Sequence, residues 1–149
     1  MFRDTRGDLT AVSNALIDLP EAWSETAKKF RTPQEWLIAT LRAFNAAEVN
    51  AALMPILRLL RHPLWSPAAP KGFGDDTSQW ADPDSLLNRA ELARTVTRRL
   101  RVQRVDPRTL LDVVDIRSGD QLHAFASDNS IPADERMALV LAGPAFQWR

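Results

Sequence analysis

Cysteine is absent from the 149 residues, and that one gap removes disulfides, thiolate metal sites and cysteine nucleophiles together. An excess of charge is missing as well. The 19 Lys and Arg balance the 19 Asp and Glu, so the chain lacks the global pull on phosphate of a dedicated nucleic-acid or anionic-membrane binder. No apolar run approaches the length of a membrane-spanning helix. The first twenty residues, MFRDTRGDLTAVSNALIDLP, scatter charge where a signal peptide needs a continuous apolar stretch. Strand signals are lacking too: Val and Ile are sparse and alternating runs do not occur.

Catalytic and ligand motifs are equally scarce. No serine sits in a G-x-S-x-G elbow, and no glycine-rich loop is built to cradle phosphate. The two histidines, His62 and His123, fall in different expected elements with no carboxylate at ligand spacing, so they read as surface or capping residues. No metal and no cofactor is expected, and the balance leans away from an enzyme.

Helical periodicity fills the chain instead. Asp8 precedes Leu9, Val12, Leu16 and Leu19 on one face, and Pro20 closes that helix. A short turn or helix with Trp23, Ala27 and Phe30 follows. Thr32-Pro33 with Glu35 forms a capping box and predicts a helix over 33–45, with Leu37, Leu41 and Phe44 inward and Trp36 and Thr40 flanking. Residues 47–61 repeat the pattern through Val49, Leu53, Ile56, Leu57 and Leu60, with Pro55 expected to kink or split the helix. Asp82-Pro83 opens a long helix to about Arg101, whose inner face is expected at Leu86, Leu87, Ala90, Ala93, Thr97 and Leu100. Asp106-Pro107 starts another, ahead of Leu110, Leu111, Val113 and Val114.

Beyond Gly119 a short helix around Leu122 and Phe125 is expected, then a last one through Met137, Val140 and Leu141, ended by Gly143-Pro144. The expectation is a single all-α domain over 1–149 with roughly six to eight helices. ALIDLPEAW near the start and ALVLAGPAFQW at the end echo each other weakly, each a helix, a proline, then aromatics. Trp148 is costly to expose and is expected to dock.

One stretch breaks the helical rhythm: WSPAAPKGFGDDTSQW, Trp65 to Trp80. A sixteen-residue loop inside one domain is usually functional or tightly packed, and Trp65, Phe73 and Trp80 argue for a packed clasp. Pro67 and Pro70 stiffen it, and Gly72 and Gly74 permit a sharp turn. A ligand or interaction site, if one is present, would draw on Trp65, Phe73, Asp75, Asp76, Trp80 and Arg89. Asp75-Asp76 could supply two carboxylates for acid/base or cation work, although turn chemistry explains the pair more simply. The arginines Arg94, Arg98, Arg99, Arg101 and Arg104 form the densest charge cluster. A phosphate or nucleic-acid stripe is one reading of it; a solvated helix face is the plainer one.

RTPQEWLIATLRAF, HPLWSPAAPKGFGDD, WADPDSLLNRAELA and LVLAGPAFQWR, in that order, resemble the C-terminal region of a large bacterial family catalogued only as domain of unknown function 1800. The matching positions are Thr32, Pro33, Pro63, Pro67, Gly72, Phe73, Trp80, Leu86, Leu87, Arg89, Pro144, Phe146 and Gln147. Phe73 stands where the family usually has tryptophan, Gly143 and Ala145 depart from its terminal signature, and Asp75-Asp76 replaces a glycine pair. The resemblance brings no reaction. Members of the family are longer and many look exported, which implies a C-terminal fragment, a single domain or a shortened relative; the leading expectation is a helical scaffold or interaction domain of a larger exported protein. Its partner would be another protein or the preceding portion of the same one. The alternative is a fragment of an enzyme whose cleft is lined by the 65–80 loop.

Overall fold

Local capping chemistry fixes where the helices begin. The computed structural model describes residues 1–24, 28–46, 53–99, 105–114 and 116–149. Among them the helices are α1 (Leu9–Ile17), α2 (Pro33–Ala43), α3 (Leu53–Leu59), α4 (Pro83–Arg99), α5 (Pro107–Val113), α6 (Gln121–Ser127), α7 (Ala133–Ala142) and α8 (Pro144–Gln147). Short 3-10 turns occupy Pro20–Trp23 and Thr77–Gln79. The all-α expectation holds, with no strand or sheet among the described residues.

At α2 the Thr32 hydroxyl accepts from the Glu35 amide and the Glu35 carboxylate accepts from the Thr32 amide at 2.9 Å, a reciprocal pair that satisfies two orphan donors. Asp82 accepts from the Ser85 amide at 3.1 Å to start α4, Asp106 from Arg108 to start α5, and Asp120 from Leu122 to start α6. Pro55 is the third described residue of α3, so the kink or split expected there turns on residues outside the described ones. The expected start of that helix, with Val49, lies outside the described residues, as do Ala27, Leu100, Arg101 and Arg104.

The most extensive helix pair is α4 on α7. Leu92, Ala93 and Val96 meet Met137, Ala138, Val140 and Leu141 in a core that also takes Trp36, Leu37, Leu57, Leu60, Leu110, Leu111 and Phe146. Trp36 is fully buried, at the centre of the α2 face that the sequence placed beside Leu37. Its indole N–H donates to the Leu141 carbonyl at 3.1 Å and ties α2 to α7.

Two faces differ from the simplest expectation, although Ala93 and Thr97 on α4 are buried as expected. On α4 the buried stripe is Ser85, Arg89, Leu92, Ala93, Val96 and Thr97, while Leu86 and Leu87 are exposed. The helix is rotated toward its polar residues: Arg89 finds hydrogen-bond partners inside, and the buried Ser85 hydroxyl donates to the Asp82 cap three residues back. On α1 the Asp8 cap forms as expected, accepting from Thr10 and Ala11, yet the helix buries none of its residues.

Trp148 docks as expected. Its ring meets Phe30 edge-on at 5.1 Å. Beneath that contact the chain end lies antiparallel to residues 29–31: Lys29 and Arg149 exchange backbone hydrogen bonds at 2.8 and 3.0 Å, and the Arg31 amide donates to Gln147 at 2.7 Å.

Candidate functional site

The 65–80 loop is organised by a residue outside it. Helix α3 ends with Arg61 in the left-handed region, φ +60°, and the His62 amide donates back to the Leu57 carbonyl at 2.8 Å. This reversal carries the imidazole inward, where it is only 5% exposed, so the expectation of a surface or capping histidine is corrected. Trp80 stacks on the imidazole at 5.0 Å and 29°, and Phe73 meets it edge-on at 4.2 Å. The Trp80 indole donates to the Gly74 carbonyl at 3.0 Å, closing a ring of contacts within the loop. Gly72, with φ +87°, supplies the turn, its amide donating to the Ala69 carbonyl.

Not every loop residue joins. Trp65 is 94% exposed with φ +61°, sitting in a turn closed by the Ser66 amide on the Pro63 carbonyl. The expectation that it packs is therefore corrected. Asp75 pairs with Lys29 at 2.6 Å. That hydrogen bond and the ammonium charge hold its carboxyl below the usual range. Asp76 is exposed and makes no side-chain cap on the turn it precedes.

Arg89, from α4, is 1% exposed and bonded elsewhere. One guanidinium nitrogen donates to Gln147 Oε1 at 2.7 Å and another to the Arg31 carbonyl at 2.9 Å; the cation lies 5.0 Å above the Phe30 ring. Its Nε has no partner. Burial brings its pKa down to about 10, with Asp82 pulling the other way, so the group keeps its charge at neutral pH. Gln147 in turn donates to the Leu141 carbonyl at 3.1 Å. The arrangement is a lock joining α4, the α2 approach and the chain end.

Phe73 and Trp80 thus converge on His62, and Arg89 acts on that imidazole only electrostatically. Burial first, then the Arg89 charge, draw the His62 pKa below its ordinary value, with Glu35 opposing. Its Nδ1 is buried without a hydrogen-bond partner. Sequence reasoning passed over His62 and Phe30, because a histidine after a helix end and a phenylalanine before a cap carry no local signal of burial. Gln147 was marked only through the family resemblance.

The open concavities lie away from this cluster. A groove of about 560 Å³ runs between α2 and α5, and one of about 470 Å³ between α2 and α3; none of the six expected site residues lines either. Among the described residues no three His, Asp or Glu side chains converge on a point, and no helix is long and apolar enough to cross a membrane. Arg94, Arg98 and Arg99 are exposed, with Arg98 3.8 Å from Asp134.

A family model described as protein of unknown function DUF1800 matches residues 1–148. No curated protein and no solved structure matches the chain.

Proposed function

From a chain that belongs to the DUF1800 family, whose description carries no activity, we propose a helical interaction domain that docks through α1 onto a helix of a protein partner. The observation that carries this is a pair of equivalent units in opposite states. In α7–α8 the helix runs into Pro144, and the Gln147 side chain donates to the carbonyl of Leu141, six residues back. In α1 and its 3-10 turn the helix runs into Pro20, and the Trp23 indole donates to the carbonyl of Ile17, again six residues back.

The first unit lays Met137, Ala138, Val140 and Leu141 against α4. The second buries nothing, and Leu9, Leu16, Ile17 and Trp23 stand exposed, Trp23 at 73%. A contiguous apolar face of this kind marks an interface, with tryptophan the residue type that most often anchors one. The partner surface it fits is the kind α4 offers to α7: a helix with a stripe of small and branched apolar residues.

The 65–80 loop fits the same reading as a structural clasp. Phe73 and Trp80 are engaged with His62, Asp75 with Lys29, and Trp65 alone is left as an outward anchor. Both the α1 face and Trp65 suit a scaffold or interaction role.

The test puts a photo-crosslinking side chain at position 16 of the full chain in its native cells, identifies what it captures, and measures binding of that purified protein. Leu9→Glu with Leu16→Glu should leave stability within about 0.5 kcal/mol and weaken binding at least about tenfold. Equal capture from a control position such as 94, or unchanged binding by the double variant, would sink the proposal.

A further inference from the structure

A second surface, independent of α1, points to a small ligand. We infer that the groove between α2 and α5 binds an anionic amphiphile, a single apolar chain ending in a carboxylate, with the chain along Ile38 and Val113 and the head at Arg42.

Its volume of about 560 Å³ falls within the range of roughly 300–1,000 Å³ typical of small-molecule sites. The walls are apolar on both sides: Ile38, Ala39 and Ala43 from α2, and Leu110, Val113 and Val114 from α5. Val113, at 75% exposure, is an apolar side chain on this wall that stands largely open to solvent. A bare phosphate or a nucleic acid would leave that wall wet, whereas an alkyl chain covers it.

The charge at the rim is one-sided in a chain whose total charge is zero. Arg31, Arg42 and Arg149 line the groove with Glu35 as its one acidic side chain, and Glu35 is occupied. One oxygen pairs with Arg149 at 2.6 Å and the other accepts from the Thr32 amide at 2.9 Å. Arg31 donates to the Phe146 carbonyl and lies 4.9 Å over the Phe146 ring. Its pKa is lowered first by burial and next by the Arg149 charge, with Glu35 opposing. The Arg42 side chain is exposed and has no ion pair or hydrogen bond to any described residue. A guanidinium with a free donor fork beside an apolar wall is the element that selects a carboxylate head over a neutral one.

The experiment is calorimetric titration of the full chain with dodecanoate below its micelle concentration, with dodecanol and acetate as the head-free and chain-free comparators. Dodecanoate should bind at least about tenfold more tightly than either. Arg42→Gln should remove most of that preference while leaving dodecanol unchanged, and Val113→Asp, at an exposed position, should abolish dodecanoate binding with the helical circular-dichroism signal intact. Arg94→Gln and Leu16→Glu should bind as the parent does. Absence of dodecanoate binding, equal affinity for dodecanol, or a loss that follows Leu16→Glu instead of Arg42→Gln overturns the inference.

Discussion

Acidification from pH 7.5 to 5.5 should destabilise this protein through His62. The imidazole is buried between Trp80 and Phe73 with its Nδ1 unpaired, and its folded pKa lies below the unfolded value near 6.5. In the unfolded chain the side chain takes up a proton as pH falls through that value; in the folded chain it does not until lower pH. The unfolded state therefore binds more protons in the window between, and stability falls with falling pH. One proton over this interval is worth up to about 1.4 kcal/mol, or about 3–5 °C in Tm for a domain of this size. Glu35, Asp75, Asp82 and Asp128 are held below their ordinary values of 4.5 and 3.8. What they contribute is present above those values and fades only at lower pH, outside the window. The assay is urea unfolding followed by tryptophan fluorescence at pH 7.5, 6.5 and 5.5, for the parent and for His62→Leu. The variant, close in volume, should lie within about 1.5 kcal/mol of the parent at pH 7.5 and lose the acid slope. A parent that is flat across the window, or a variant with the same slope, would refute the assignment to His62.

Four further outcomes follow from particular contacts. Thr32→Ala removes half of the capping box on a helix whose Trp36 is fully buried and should lower global stability by about 1 kcal/mol. Asp8→Ala removes the equivalent cap from α1, which buries nothing, and should leave the urea midpoint in place while speeding amide exchange in residues 9–17. In a double-mutant cycle, Arg89→Met and Gln147→Met should show a coupling of about 1–3 kcal/mol; a value under about 0.5 would mean that the 2.7 Å bond adds little. Gly143→Ala should cost about 1–3 kcal/mol, because an added Cβ would stand 2.5 Å from Leu122 Cδ2 although φ is an ordinary −63°. A fully stable variant there would show that Leu122 yields easily.

Helix starts were legible in the sequence because capping is local: Thr32-Pro33, Asp82-Pro83 and Asp106-Pro107 each place a side-chain acceptor against amides two or three residues on. Which face turns inward was less legible. On α4 the buried stripe includes Ser85 and Arg89, and hydrophobic periodicity has no means of ranking a polar residue whose partners lie 58 residues away. On α1 the stripe itself is real but none of its residues is buried, a fact of tertiary packing that no window of sequence contains. The loop was partly readable. Phe73 and Trp80 pack as their size suggests, but Trp65 follows its positive φ into solvent, and His62 was hidden in plain view just before the segment that drew attention.

Arg89 stands midway between the two positions it holds, 58 residues from Arg31 and 58 from Gln147. Each of those closures costs about 3–4 kcal/mol of chain entropy plus a constant, and neither bond can form until α4 has met segments from both sides. The lock should therefore close on the native side of the folding barrier. Its removal would leave the rate of folding nearly unchanged and raise the rate of unfolding. In that case the buried arginine governs how long the assembled fold persists once made, and has little part in how quickly the chain finds it.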